Sequence, residues 1–505
     1  MANLTTVVFT KLSDSAISPI VSSLYEGWTL DRDQTINTLP GNDTIAGGLS
    51  NFGTLLTDDG HDVISAPKYR GVINYETGTI NTGEGKDTIM ITQDTESSND
   101  TMSITCLMNG GLIDLGNGDD TILISGNHAP TTQWREFGIT NVWSGKILTG
   151  NGDDVIKSIL AIPDPDSAVN PYVGMMNAGL LDTGEGSDTI FSNGYLINQS
   201  MENGEMDNAC LLLTGPGDDS ISSTVFINQA SVDTGTGHDT INGLNEGRTY
   251  VEKESRFGFV NAGGIVSLGN GNDQISGRGP LIGLINHGKN ADMSESIIGG
   301  IIDTGSGNDT ITGISDGTFI EPSVELAGEW SAVYGLLNDG RILLGGGDDQ
   351  LSGSGGGVGI ANNGTIDAGS GRDVLTGIGS QGGIYNMGSI LTGRGKDTVD
   401  ALEGGFLGEG TLNLGEGNDI VMGFGTGHFV GGDGIDTMIF MPGTYNITDG
   451  MVFAAGVEGM AGVERTYLIS NADHQMIVSQ FERFGKGADH THFSDAVLAG
   501  QVTFL

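Results

Sequence analysis

Basic residues are scarce in this chain. Twenty Lys and Arg stand against 64 Asp and Glu in 505 residues, a formal net charge of −44. A polyanion of that strength repels nucleic-acid phosphate and anionic membrane surfaces, which argues against both as partners, and it attracts cations. Cysteine is nearly absent: Cys106 and Cys210 are the only two, so no disulfide framework staples the chain. Cys210 falls where other repeats carry a small residue, and it reads as a small buried filler. Only 37% of residues are apolar and 6% aromatic. That is too little for a large rounded core and enough for a narrow one, one or two side chains wide. No stretch is apolar for long enough to cross a membrane. The first residues, MANLTTVVFTKLSD, lack the charged start, apolar block and cleavage site of a classical signal peptide. The eight histidines are dispersed, and no HExxH, GxSxG or P-loop is present.

What the chain has in excess is glycine, 87 residues, against a usual share of about 7%. Much of it lies in one recurring segment, GxGxD followed by any residue and an apolar one. TGEGKDTI ends at Ile89, LGNGDDTI at Ile122, TGNGDDVI at Ile156, TGEGSDTI at Ile190, TGTGHDTI at Ile241 and TGSGNDTI at Ile311. The final aspartates are Asp43, Asp62, Asp87, Asp120, Asp154, Asp188, Asp219, Asp239, Asp273, Asp309, Asp349, Asp373, Asp397, Asp419 and Asp436. The copies at Asp43 (LPGND) and Asp62 (TDDGHD) are degenerate. Successive aspartates lie 17 to 40 residues apart, and the shortest units show that a bare repeat needs 17 to 24. The excess in longer units falls at one place, after the DTIxG strand and before a G-apolar-x-N strand. Inserts there include 127–137, 161–172, 246–257 and 315–330.

Short apolar pieces bounded by glycine turns at this period predict the coils of a parallel β-solenoid, about 15 of them, between an N-terminal cap (1–38) and a C-terminal cap (441–505). Each coil rises about 4.8 Å, one strand spacing. Stacking then places fifteen aspartates in file, which repel unless a cation sits among them. Calcium prefers six to eight oxygen ligands from carboxylates and carbonyls, and the turn offers both. Glycine and aspartate are also good turn formers in their own right.

A second column is expected from asparagine, seven residues before the first motif glycine at Asn109, Asn177, Asn208, Asn228, Asn338, Asn362 and Asn386, and two residues further back at Asn74 and Asn141. These asparagines either exchange amide hydrogen bonds along the stack or occupy turns with positive φ. His61 and His238 sit at the variable motif position, where an exposed side chain is expected. Thr183, Thr214 and Thr234 also stack, but beside the glycine turns rather than on a flat exposed face, which argues against an ice-binding surface.

GGDGIDTMI (431–439) matches the repeated nonapeptide GGxGxDxUx at every defined position, and most other copies match with Thr or Leu for the first glycine. Over roughly 40–440 the chain resembles the RTX, or haemolysin-type, repeat proteins. The resemblance implies a right-handed parallel β-roll, calcium ions between turns with the fifteen aspartates as carboxylate ligands, type I secretion, and folding outside the cell. The chain departs from that pattern in carrying one motif per coil, so a calcium file on one side only is expected. The phrase IVSQFERFG resembles the cap that follows such repeats, and the apolar end LAGQVTFL resembles an uncleaved secretion signal.

With the repeats starting near residue 40, the expectation is a non-enzymatic structural protein of the cell surface: a surface layer, filament, matrix or adhesin. Its expected partners are calcium and either copies of itself or a surface polysaccharide. The inserts, with Trp134, Tyr250, Phe257 and Trp330, read either as a partner-binding ridge or as tolerated loops. The alternative is a β-helical lyase or epimerase acting on an acidic polysaccharide, which needs a basic, aromatic groove that 20 scattered basic residues hardly supply.

Overall fold

A computed structural model describes the whole chain except residues 1, 8, 18–26, 69–70, 94–104, 127–136, 161–172, 200–209, 246–255, 289–298, 318–332, 451–465, 487–488, 493–498 and 505. It divides into two compact units, Met1–Asn270 and Gly271–Leu505.

In the first unit each coil has three strands. A short pre-turn strand such as Thr79–Asn81 runs into the GxGxD turn, and a post-turn strand, Thr88–Gln93, leaves it. A third strand, Thr105–Asn109, leads to the asparagine corner and the next pre-turn strand, Leu112–Asp114. Each strand pairs in parallel with its equivalent one coil on. Pre-turn residues align as Ile80, Ile113, Ile147, Leu181, Leu212, Val232 and Val266. Post-turn residues align as Ile64, Ile89, Ile122, Ile156, Ile190, Ile221 and Ile241. Third-strand residues align as Val72, Leu107, Ile139, Met175, Leu196, Phe226 and Phe259. These columns are buried and form the core. Burying one such side chain stabilises by about 1.5–3 kcal/mol, and a single coil has no neighbour to bury it against.

Most inserts fall where the repeat placed them, but not all: 200–209 and 289–298 lie after the third strands Thr189–Asn198 and Ile282–His287 and before the pre-turn strands Leu211–Leu213 and Ile301–Asp303, so the single insertion place expected from the spacing becomes two. Residues 94–104 separate the post-turn strand Thr88–Gln93 from the third strand Thr105–Asn109. Without an insert the two either fuse, as in Thr189–Asn198 and Ser220–Asn228, or meet across a two-residue turn, as Val374–Gly379 and Gly382–Asn386 do. Trp134, Tyr250 and Trp330 lie outside the described residues. Phe257 does not belong to an insert, because it opens the third strand Phe257–Ala262. Residues 1–38 already supply strands paired in parallel with the coil that follows: Ser15–Ile17 with Thr44–Ala46, Trp28–Leu30 with Leu49–Asn51, and Thr35–Asn37 with Thr54–Leu56.

The second unit repeats the three columns: Ile302, Ile342, Ile366, Ile390, Leu412; Ile275, Ile311, Leu351, Leu375, Val399; and Leu284, Leu336, Ile360, Ile384, Phe406. It ends in an antiparallel sheet built from Gly443–Gly450, Thr466–Ser470, Gln475–Ser479 and Gln501–Phe504. Phe440, Tyr445, Phe484 and Phe504 cluster there, with Phe484 and Phe504 5.5 Å apart edge to face. The apolar tail is thus a strand of this cap.

A second use of glycine emerges in this unit. Gly277, Gly313, Gly353 and Gly377 on post-turn strands face Gly283, Gly335, Gly359 and Gly383 on third strands, backbone against backbone. A Cβ on Gly377 would lie 2.2 Å from the Gly383 carbonyl oxygen. In the first unit Ser158 and Ser192 take the post-turn place opposite Gly138 and Gly174. We predict that Gly377→Ala destabilises the protein by about 1–3 kcal/mol through overpacking. Gly346→Ala, whose new Cβ meets nothing nearer than 3.4 Å, should be close to neutral in the same denaturant titration.

Candidate metal centre

The turn holds two glycines in backbone conformations that L side chains avoid, for example Gly116 at φ 92° and Gly118 at φ 148°. Turns also stack so closely that a Cβ on Gly118 would sit 1.3 Å from the carbonyl oxygen of Gly85, one coil back. Steric contact alone therefore fixes glycine at this position. The turn folds each motif aspartate inward, and all fifteen are buried, at 0–2% exposure.

The aspartates form a file. The backbone N–H of Asp43 donates to Oδ1 of Asp62, Asp62 to Asp87, and so on through Asp120, Asp154, Asp188, Asp219 and Asp239, at 2.7–2.9 Å. In the second unit the file runs from Asp273 through Asp309, Asp349, Asp373, Asp397 and Asp419 to Asp436. The second oxygen, Oδ2, is buried and accepts no hydrogen bond in Asp43, Asp62, Asp87, Asp120, Asp154, Asp188, Asp219, Asp309, Asp349, Asp373, Asp397, Asp419 and Asp436. In several coils a threonine hydroxyl lies near enough to lower the aspartate pKa, as Thr57 does for Asp62 and Thr183 for Asp188. Its single proton, however, goes to a carbonyl of the next coil: Thr57 donates to Thr82 O and Thr183 to Thr214 O. None is left for the carboxylate.

Burial without a counter-charge pushes these carboxyls up. Desolvation is the largest cause throughout, opposed by the backbone N–H, and it raises Asp120 to about 8, Asp62, Asp219, Asp373 and Asp419 to about 7, and Asp154, Asp188, Asp349 and Asp436 to about 6. Asp87, Asp239, Asp309 and Asp397 are raised too. A neighbouring aspartate of the file adds to the rise in several cases, as Asp87 and Asp154 do for Asp120.

The asparagine column gives the contrast. Nδ2 of one asparagine donates to Oδ1 of the next, at 2.8–2.9 Å, along Asn51, Asn74, Asn109, Asn141, Asn177, Asn198, Asn228 and Asn261. The second unit does the same along Asn286, Asn338, Asn362 and Asn386. The other amide proton reaches a backbone carbonyl, as from Asn109 to Lys146 O, and Oδ1 of Asn109 also accepts the Gly111 N–H. This column is satisfied at every atom, so it has no vacancy for a ligand. None of these asparagines has positive φ, which removes the turn reading. Asn208 lies outside the described residues, and Asn198 holds the place between Asn177 and Asn228. Cys210 is buried there, its thiol pushed up to about 12 by desolvation and directed at Asn177 O, as a small filler should be.

A third file runs on the exposed side of the turn, at the residue before each aspartate. Its side chain accepts the N–H of its counterpart one coil on: Asn42 from His61, His61 Nδ1 from Lys86, Asp119 from Asp153, Asp153 from Ser187, Asp218 from His238, and Asn308 from Asp348. Its polarity opposes that of the buried file. The histidines are exposed, as expected, but His61 is also part of this chain of bonds. Thr183, Thr214 and Thr234 are buried at 0–1% exposure and offer no face to ice.

Two half-buried carboxylates extend the files without a motif copy. Asp14 donates its N–H to Oδ1 of Asp43, and Asp436 donates its N–H to Glu482. Glu482 was legible only from strand register, since FERFG aligns on IDTMI with Glu in the place of Asp.

Calcium, which the motif resemblance implies, fits this donor set. The file supplies hard oxygens, one per carboxylate without a hydrogen-bond donor. Among the described residues no three His, Cys, Asp or Glu side chains gather into a metal cluster. An ion between two turns therefore takes at most two carboxylates from the protein, with carbonyl or water oxygens for the remainder.

The pairing and the files define each unit as a parallel β-solenoid with a buried carboxylate column along its turns. No family model matches this chain, and no curated protein matches it. A solved structure described as a hyperactive, Ca2+-dependent, beta-helical antifreeze protein from an Antarctic bacterium is similar at 18% identity, over 82% of this chain and 84% of that one, with a TM-score of 0.33. At that score the likeness carries no weight for the chemistry of this chain.

A pH dependence follows for the cation-free protein. Nine carboxyls of the files have folded pKa values of about 6 to 8, above the ordinary 3.8, so folding takes up protons. Stability is fully present below about pH 4, and it falls as pH rises through 6 to 8. In chelator, melting temperature should drop steadily between pH 5 and pH 8. A flat profile would show that the file does not control stability.

Proposed function

We propose that this chain is a calcium-binding structural β-solenoid that folds outside the cell, as a component of a surface layer, filament, matrix or adhesin. One observation carries the reading: along the files of the two units, thirteen buried carboxylate oxygens accept no hydrogen bond among the described residues. A buried charge without a partner is costly, and breaking even one buried pair typically costs about 3–5 kcal/mol. Protons can relieve the file in acid, whereas at neutral pH a divalent cation does so without giving up the charge. The oxygen-only donor set favours calcium over softer metals. The fifteen motif aspartates are its proposed ligands, and the GxGxD motif and the oxygen-only donors support that assignment. Secretion by a type I route, and an extracellular place, rest on the motif's resemblance to RTX repeats and on the millimolar calcium that weak sites of this kind need.

A non-enzymatic role is part of the proposal. What favours the alternative, an enzyme on an acidic polysaccharide, is one basic spot: Arg372, Arg394 and Lys396 lie on two adjacent turns. Asp348 and Glu416 already pair with Arg372 and Arg394 there, which blunts it as an anion groove.

The test is a melt of purified protein in calcium and in chelator at pH 8, paired with electron microscopy and incubation with uronate polymers. The structural reading expects a calcium-dependent β-sheet signal, a large rise in melting temperature with calcium, and ordered assemblies. Depolymerisation of a uronate polymer, abolished by Arg372→Ala with Lys396→Ala, would replace it with the enzyme reading.

A further inference from the structure

We propose that Glu482 is the terminal carboxylate of the buried file, and that with Asp436 it forms a divalent-cation site fastening the C-terminal cap to the last turn. This rests on the cation reading above and extends it to a residue outside every motif copy.

Parallel pairing sets Thr437 beside Arg483, so Glu482 stands one strand spacing beyond Asp436 in the column. The backbone treats it as another motif aspartate. Asp436 donates its N–H to Oε2 of Glu482 at 2.7 Å, the bond each aspartate makes to the next. Arg483 donates its N–H to Asp436 O at 3.0 Å, as Thr437 does to Asp419 O at 2.9 Å.

A second, independent observation points to a ligand. Oδ2 of Asp436 is buried, on a side chain at 0% exposure, and accepts no hydrogen bond. Glu482 itself is half-buried, so the end of the file meets solvent where the interior members do not. Two carboxylates at one strand spacing, one carrying a vacant buried oxygen, suit a hard divalent cation and repel each other without one.

This has a consequence for the cap. The strand Arg483–Lys486 is held to the last coil by its pairing with Thr437–Ile439, and it continues into the hairpin strand Asp489–His492. If a cation joins Asp436 and Glu482, docking of this edge depends on the cation, and losing the ion loosens the cap from the turn outward.

Glu482→Gln separates this role from a simple cap on the Asp436 N–H, because the amide oxygen still accepts that bond while the charge is gone. Melts are run in calcium chloride and in EDTA at pH 8, with calcium titrations followed by hydrogen exchange at residues 483–486. The proposal expects opposite signs. In EDTA the variant melts at or above the wild-type temperature, since one repulsion is removed. In calcium it melts lower, and the calcium midpoint for protecting 483–486 rises roughly tenfold, as ligand charge count sets affinity. Equal losses in both buffers, or no change in either, overturn it.

Should Glu482→Gln not fold in either buffer, Glu482→Asp decides. Protection of 483–486 by calcium in that variant supports the charge role, and protection indifferent to calcium overturns it. A wild-type protein whose melt ignores calcium altogether would instead remove the cation reading on which this site rests.

Discussion

The structure depends on how a stack of identical turns disposes of a stack of identical charges. Parallel pairing brings like onto like at every level, so any residue kept from coil to coil becomes a column. For isoleucine the column is a core. For asparagine it is a closed chain of amide hydrogen bonds. For aspartate it is a line of buried anions, each with one oxygen held by a backbone N–H and the other left over in thirteen coils. The first two columns stabilise the fold under any condition. The third stabilises it only when something positive enters, and that makes it the conditional element of the architecture.

Glycine makes the arrangement possible in two ways. In the turn it adopts a left-handed conformation and admits the carbonyl of the neighbouring coil, so the aspartate can swing inward. In the second unit it also lines the seam between post-turn and third strands, where two backbones meet with no side chains between them. Both uses are stacking requirements, and neither exists in an isolated coil. A chain so rich in glycine loses much conformational entropy on ordering. Its modest apolar columns and the occupied carboxylate file together have to offset that loss.

Much of this was legible in the residues. The GxGxD spacing gave the turn, its period gave the coil, and the length variation placed most inserts between the post-turn and third strands, though 200–209 and 289–298 fall after the third strand instead. Burial of Asp87 or Asp309 was not legible, since the motif names the residue and not the side of the turn it faces. Other features were hidden because they depend on register. Asn208 sits at the right distance in sequence, yet Asn198 holds the ladder position, because a fused strand brings it there ahead of the insert. Phe257 looked like part of a loop and is the start of a strand. Asp14 and Glu482 match no motif, and only strand pairing shows that they continue the file. The glycine seam was invisible as well, since a glycine outside a turn motif has no local signature. Its meaning lies in the residue it faces.

The central claim is that the orphaned carboxylate oxygens are matched by metal. Anomalous diffraction from crystals grown in calcium, with manganese or a lanthanide exchanged in, tests it most directly. The account predicts a row of anomalous peaks beside Oδ2 of the motif aspartates, one strand spacing apart. A well-ordered turn at neutral pH with no peak beside any of those oxygens would contradict it.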